Sequence, residues 1–128
     1  MKIYIDAGHN PTNPNAGAEG NGYREQDLVF EIARQTAVIL RQNGLEVRLS
    51  RPTPETQLGT SNASSLAARV NDANAWGADY FISLHTNAST ISSASGVEGY
   101  VYALNTAAAE LSEDIVENLT EATGLRNR

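Results

Sequence analysis

The sequence predicts an α/β fold, a mostly parallel twisted sheet with helices on both faces. Three observations carry that prediction. Short apolar runs of strand length recur along the chain, stretches with apolar residues at three- and four-residue spacing stand between them, and a glycine follows each helical stretch. Alternation of this kind favours parallel strands joined through helices that pack on the sheet. The 128 residues suffice for one core, and hydrophobic and charged fractions of 41% and 19% lie near ordinary globular values, so a disordered chain is excluded. We expect a single domain over residues 1–128, with no internal repeat and no flexible linker.

The first strand is expected at residues 2–5, an apolar run that lacks the length of a secretory signal. A Gly/Asn/Pro-rich loop follows, from Ala7 to Arg24. A helix is expected from about Gln26 to Asn43, because Leu28, Val29, Ile32, Ala33, Thr36, Ile39 and Leu40 recur on one face, and Gly44 stops it. Residues 45–49 alternate as Leu-Glu-Val-Arg-Leu, a strand signature. A second helix is expected near Ser64–Trp76, with Leu66, Val70 and Ala73 as its inner stripe and Gly77 at its end. Tyr80–Leu84 reads as a buried strand. Val97–Tyr102 reads as another, its two tyrosines packed on one face. Thr106 caps a last helix that reaches about Thr123, with Leu111, Ile115 and Leu119 inward and Gly124 closing it.

Composition narrows the partners. A formal net charge of −6 argues against nucleic acid, whose phosphates need a basic surface. No stretch approaches the roughly 20 apolar residues of a membrane-spanning helix. With no cysteine, any metal must be held by His, Asp or Glu.

The chain has two histidines, and each stands just past a predicted strand: His9 in Asp6-Ala7-Gly8-His9-Asn10, His85 in Ser83-Leu84-His85-Thr86-Asn87. If those strands are parallel, both imidazoles lie at the carboxyl edge of the sheet, where α/β folds gather ligands. Glu25, at the end of the loop that begins with His9, is a candidate third ligand. Two His and one Glu around a zinc leave a fourth position for water. Spacing alone leaves other readings open. A histidine after a strand also serves as a loop residue or hydrogen-bond donor, and Glu25 as a carboxylate favoured by the positive end of a helix. Separations of sixteen and sixty positions form no compact motif.

Longer blocks carry a resemblance. Asp6-Ala7-Gly8-His9, Gly17-Ala18, Gly20 and Gly22-Tyr23-Arg24-Glu25-Gln26-Asp27-Leu28 resemble the opening of the zinc-dependent N-acetylmuramoyl-L-alanine amidases, the type 3 amidase family. Arg69-Val70-Asn71, Ala78 to Ala88 and Gly96-Val97-Glu98-Gly99-Tyr100 are similar to its central blocks, in the right order. The resemblance implies that His9, Glu25 and His85 ligate Zn2+. It implies hydrolysis of the amide joining N-acetylmuramic acid to L-alanine of the peptidoglycan stem, outside the cell at the bacterial wall. Asn87 would help orient substrate, or else stabilise its own loop.

The resemblance also implies that the family domain continues past Arg128 into two more strands and a last helix, with a general-base glutamate on one of those strands. On that expectation turnover is impaired, since general acid–base catalysis contributes about 10²–10⁴-fold. A sheet edge would also be exposed and favour dimerisation. The alternatives are a non-catalytic zinc or peptidoglycan-binding module, a zinc peptidase acting within the stem peptide, and a metal-free α/β ligand-binding domain.

Overall fold

The computed structural model describes residues 1–128, which gather into two compact units, Met1–Ala88 and Ser89–Arg128. The first unit holds strand β1 (Lys2–Ala7), a small hairpin of β2 (Glu19–Gly20) and β3 (Tyr23–Arg24), helix α1 (Glu25–Gln42), strand β4 (Glu46–Leu49), helix α2 (Asn62–Trp76) and strand β5 (Tyr80–Leu84). Its sheet has the order β4-β1-β5, with both pairings parallel. The predicted α/β class therefore holds.

Alternation along β1 decides which helix covers which face. Ile3, Ile5 and Ala7 point to one side and are buried with Val29, Phe30, Ala33 and Ala37 of α1. Tyr4 and Asp6 point to the other, where Tyr4 stacks on Phe81 at 5.4 Å and hydrogen-bonds Asp72 of α2. Full burial of side chains such as Ile5 and Val29 stabilises by about 1.5–3 kcal/mol each.

The helical faces match the expected ones in part: Val29, Ala33 and Ala73 are buried as expected, and other positions differ. In α1 the covered stripe begins with Glu25 and Gln26 and runs through Val29, Phe30, Ala33 and Ala37, while Ile32 and Ile39 are exposed. The two alanines, both at 0% exposure, let the helix approach the sheet closely. In α2 the stripe is Ser65, Arg69 and Ala73; Ala73 was expected there, but Leu66 and Val70 are exposed and the residues just before them are buried instead. Hydrophobicity misleads there because Asp6 on β1 needs a buried cation opposite it, and Arg69 supplies one. Helix α2 begins at Asn62, two residues before the expected start near Ser64, and ends where expected. Ser61 and Ser64 form a capping box before α2, and Gly77 closes it in the left-handed conformation (φ 74°).

The β2–β3 hairpin was not expected. Its two-residue turn, Asn21-Gly22, has positive φ at both positions, the geometry that Asn-Gly favours, and this dipeptide was the available signal.

In the second unit, helix α3 (Ala107–Thr123) is capped by Thr106 and closed by Gly124, as predicted. The strand expected at Val97–Tyr102 is absent: Val97 makes a single bridge to Asn127, and Tyr100 and Tyr102 are exposed instead of packed. Alternating residues can line a strand's face, but a strand also needs a neighbour to pair with.

Tyr4 gives a pH test of this packing. Burial, then the hydrogen bond to Asp72 and its charge, then the charge of Asp6, raise the phenol's pKa well above its ordinary value. Its contribution to stability is full below about pH 10 and is lost as pH rises through the folded value. Unfolding free energies from urea titrations should fall between pH 9 and 11 more steeply for the unsubstituted chain than for Tyr4→Phe, by up to about 1.4 kcal/mol per pH unit. Parallel slopes would contradict this account.

Candidate metal centre

The register of β1 and β5 sets Ala7 opposite Leu84, and the amide of Gly8 extends the ladder by donating to the Leu84 carbonyl at 3.1 Å. His9 and His85 therefore leave the sheet side by side at its carboxyl edge. Their rings lie 4.7 Å apart, nearly perpendicular, with Nε2 of His9 3.1 Å from Nδ1 of His85.

Glu25 arrives by a different route. The β2–β3 hairpin turns the chain back, and the Glu25 amide donates to the Ala18 carbonyl at 2.9 Å. This starts α1 at the sheet edge, with the carboxylate on the buried side. Oε2 of Glu25 then lies 3.3 Å from His9 Nε2, and Oε1 lies 3.3 Å from His85 Nδ1. The structure thus brings together all three residues singled out as ligands, with ligand atoms within 4.8 Å of one another. Asn87 is exposed, two residues beyond His85.

The donor set fits a zinc-sized ion. Tetrahedral coordination with bonds of about 2.0–2.1 Å sets neighbouring ligand atoms about 3.3–3.4 Å apart. Nε2 of His9 and Nδ1 of His85, 3.1 Å apart, lie close to that edge length, and the carboxylate flanks both, Oε2 3.3 Å from His9 Nε2 and Oε1 3.3 Å from His85 Nδ1. Two imidazole nitrogens and one carboxylate oxygen are also ligands that zinc accepts.

The carboxylate is prepared to stay ionised. Burial alone would push the Glu25 carboxyl up. The amides of Ala18 (3.1 Å, to Oε2) and Thr86 (2.8 Å, to Oε1), followed by the two histidines, outweigh burial and hold its pKa below the usual value. Exposure is graded across the site: the side chains of Glu25, His9 and His85 are 7%, 20% and 42% accessible. Solvent reaches the centre from the His85 side.

Two glycines make room for the rings. A Cβ on Gly8 would lie 2.5 Å from Cε1 of His85, and one on Gly17 would lie 2.9 Å from Cδ2 of His9 and from Cβ of Glu25.

Sequence reasoning missed the polar groups behind the site. Asn10, Gln26, Arg51 and Arg69 are all buried. Asn10 pins the first loop to Pro14 and Leu58, and the Gln26 side chain accepts from the Gly17 amide. Arg69 pairs with Asp6 at 2.5 Å and also donates to the Ala7 and His9 carbonyls. Removing one partner of such a buried pair leaves an uncompensated charge, at a cost of about 3–5 kcal/mol. A charged residue at the interior end of a buried strand was the signal that a cation would be found facing it.

The family described as N-acetylmuramoyl-L-alanine amidase matches residues 3–128. The sporulation-specific N-acetylmuramoyl-L-alanine amidase of Bacillus subtilis (strain 168) is 38% identical over 104 residues, covering 80% of this chain and 36% of that protein. Among solved structures, the catalytic domain of CwlV, an N-acetylmuramoyl-L-alanine amidase from Bacillus (Paenibacillus) polymyxa var. colistinus, superposes with a TM-score of 0.82 at 30% identity, covering 99% of this chain and 66% of that one. An N-acetylmuramoyl-L-alanine amidase from Clostridium difficile 630 gives 0.83 at 27% identity, again covering 99% and 66%. The chain spans about a third of the length of the first curated relatives it matches.

Proposed function

The chain belongs to the N-acetylmuramoyl-L-alanine amidase family, and from that premise we propose that it hydrolyses the amide between N-acetylmuramic acid and L-alanine in peptidoglycan, using zinc held by His9, Glu25 and His85. The observation that carries the reading is the convergence of two imidazoles and one carboxylate, remote in sequence, with ligand atoms within 4.8 Å of one another on an accessible sheet edge. Bound there, a zinc ion supplies Lewis acidity toward the scissile carbonyl and lowers the pKa of water to roughly 7.

The chain's own residues provide the rest. His9 and Glu25 form the sheltered side of the site, and the amides of Ala18 and Thr86 keep the Glu25 carboxylate ionised and aimed at both imidazoles. His85 borders solvent, so the muramoyl peptide approaches past it. Asn87, exposed two residues beyond His85, would help to orient the substrate. The names of the relatives, an endolysin of Bacillus phage SPP1 among them, support action at the cell wall, outside the cell. No helix of the chain is long and apolar enough to cross a membrane.

A direct test combines metal content with product analysis on purified peptidoglycan. Zinc should bind at one ion per chain, and new amino termini of L-alanine should appear, with a chelator stopping their release. Amino termini from within the stem peptide would instead identify a peptidase, and zinc without any release would identify a binding module. A chain that takes up no zinc would defeat the reading altogether.

A further inference from the structure

His9 is oriented through its main chain. Its backbone occupies the left-handed region, with φ 64°, which a residue bearing a side chain adopts where its surroundings compel it. Metal-binding histidines are commonly steadied by a hydrogen bond from the second ring nitrogen to a carboxylate or carbonyl. Here that nitrogen, Nδ1, is buried and meets no protein partner. Ring orientation therefore has to come from elsewhere.

The His9 carbonyl accepts from two guanidinium groups that reach it from different elements. Nη2 of Arg69, from α2, lies at 2.6 Å, and Nη1 of Arg51, just past β4, lies at 3.4 Å. Each arginine is anchored independently. Nη1 of Arg69 donates to Asp6 and to the Ala7 carbonyl, and Asp6 accepts in turn from Ser83 of β5 at 2.7 Å. Arg51 donates to the carbonyls of Gln26 and Pro54 at 3.1 and 2.8 Å. The ends of β1 and β5, the start of α1 and the middle of α2 are thus tied to the backbone carbonyl of His9.

We propose that Arg69, supported by Arg51, is a positioning residue for the metal centre: it fixes His9 through its backbone carbonyl in place of the missing ring hydrogen bond. This deepens the zinc reading above and rests on it. Arginine is required because its planar fork serves Asp6 and the Ala7 carbonyl with one nitrogen and the His9 carbonyl with the other. A lysine's single ammonium can balance the Asp6 charge without reaching all of them.

The test compares the unsubstituted chain with Arg69→Lys in zinc affinity, by chelator competition, and in the visible spectrum of the cobalt-substituted protein. Arg69→Lys should fold, lose about 10–100-fold in zinc affinity and show an altered cobalt spectrum. Ala37→Gly, which weakens the core on the other face of the sheet, should leave both readouts unchanged, and this separates positioning from stability. If Arg69→Lys fails to fold, Asp6→Asn combined with Arg69→Met removes both charges together and should show the same loss. Unchanged affinity and spectrum in a folded variant would overturn the positioning role alone. Failure of the unsubstituted chain to bind zinc would overturn the metal reading itself.

Discussion

Glu25→Gln should abolish stoichiometric zinc binding, with an affinity loss greater than the roughly 10–100-fold typical of changes around the ligands, and amidase activity should fall with it. The substitution is nearly isosteric, so the expected effect comes from charge and hydrogen bonding. Both carboxylate oxygens of Glu25 accept a backbone N–H, from Ala18 and from Thr86, and each also faces a histidine nitrogen. A glutamine has one acceptor oxygen, so its NH2 group must confront a backbone donor on one side. It also brings no negative charge to the centre. Circular dichroism should show the fold retained, since Glu25 makes its contacts at the edge of the sheet. Zinc bound by Glu25→Gln with unchanged affinity would show that the carboxylate is not a ligand.

Gly8→Ala should disable the centre by a different route. The added methyl would stand 2.5 Å from Cε1 of His85 and 2.6 Å from the Leu84 carbonyl oxygen. The imidazole can swing aside, at the expense of its place beside His9. The carbonyl cannot, because it accepts the Gly8 amide that extends the β1–β5 ladder. Overpacking of this kind costs about 1–3 kcal/mol, and zinc affinity should drop by more than that strain alone would cause. Gly20→Ala is the control: a Cβ there meets nothing within 4 Å, so stability and metal binding should stay as they were. Equal zinc affinity in Gly8→Ala and Gly20→Ala would contradict the close approach of the His85 ring to this glycine.

How much of the site could be read in advance depends on how local its causes are. His9 and His85 were legible because each follows an apolar run, and parallel strands place their ends together whatever else the fold does. Glu25 was harder. Its position depends on the hairpin turned by Asn21-Gly22, and without that turn a loop of its length could end anywhere along the edge. Neither Arg51 nor Arg69 was picked out for a role at the site, because hydrophobicity assigns a charged side chain to solvent. Their burial follows from Asp6 and from the carbonyls of Ala7, His9 and Gln26 that accept from them, groups that approach one another only once the chain is packed.

The amino-acid sequence by itself determined the α/β class, the order of the three sheet strands and three helices, the glycine ends of α2 and α3, and the three residues offered as ligands. These follow from periodicity and turn chemistry, which act over a few residues. Tertiary structure alone decided the rotation of α1 and α2 about their axes, the absence of a strand at residues 97–102 and the clamp on the His9 carbonyl. A helix turns the face that satisfies its neighbours' charges and volumes, and a strand exists only where another strand accepts its hydrogen bonds. Neither condition is written in any short stretch of chain.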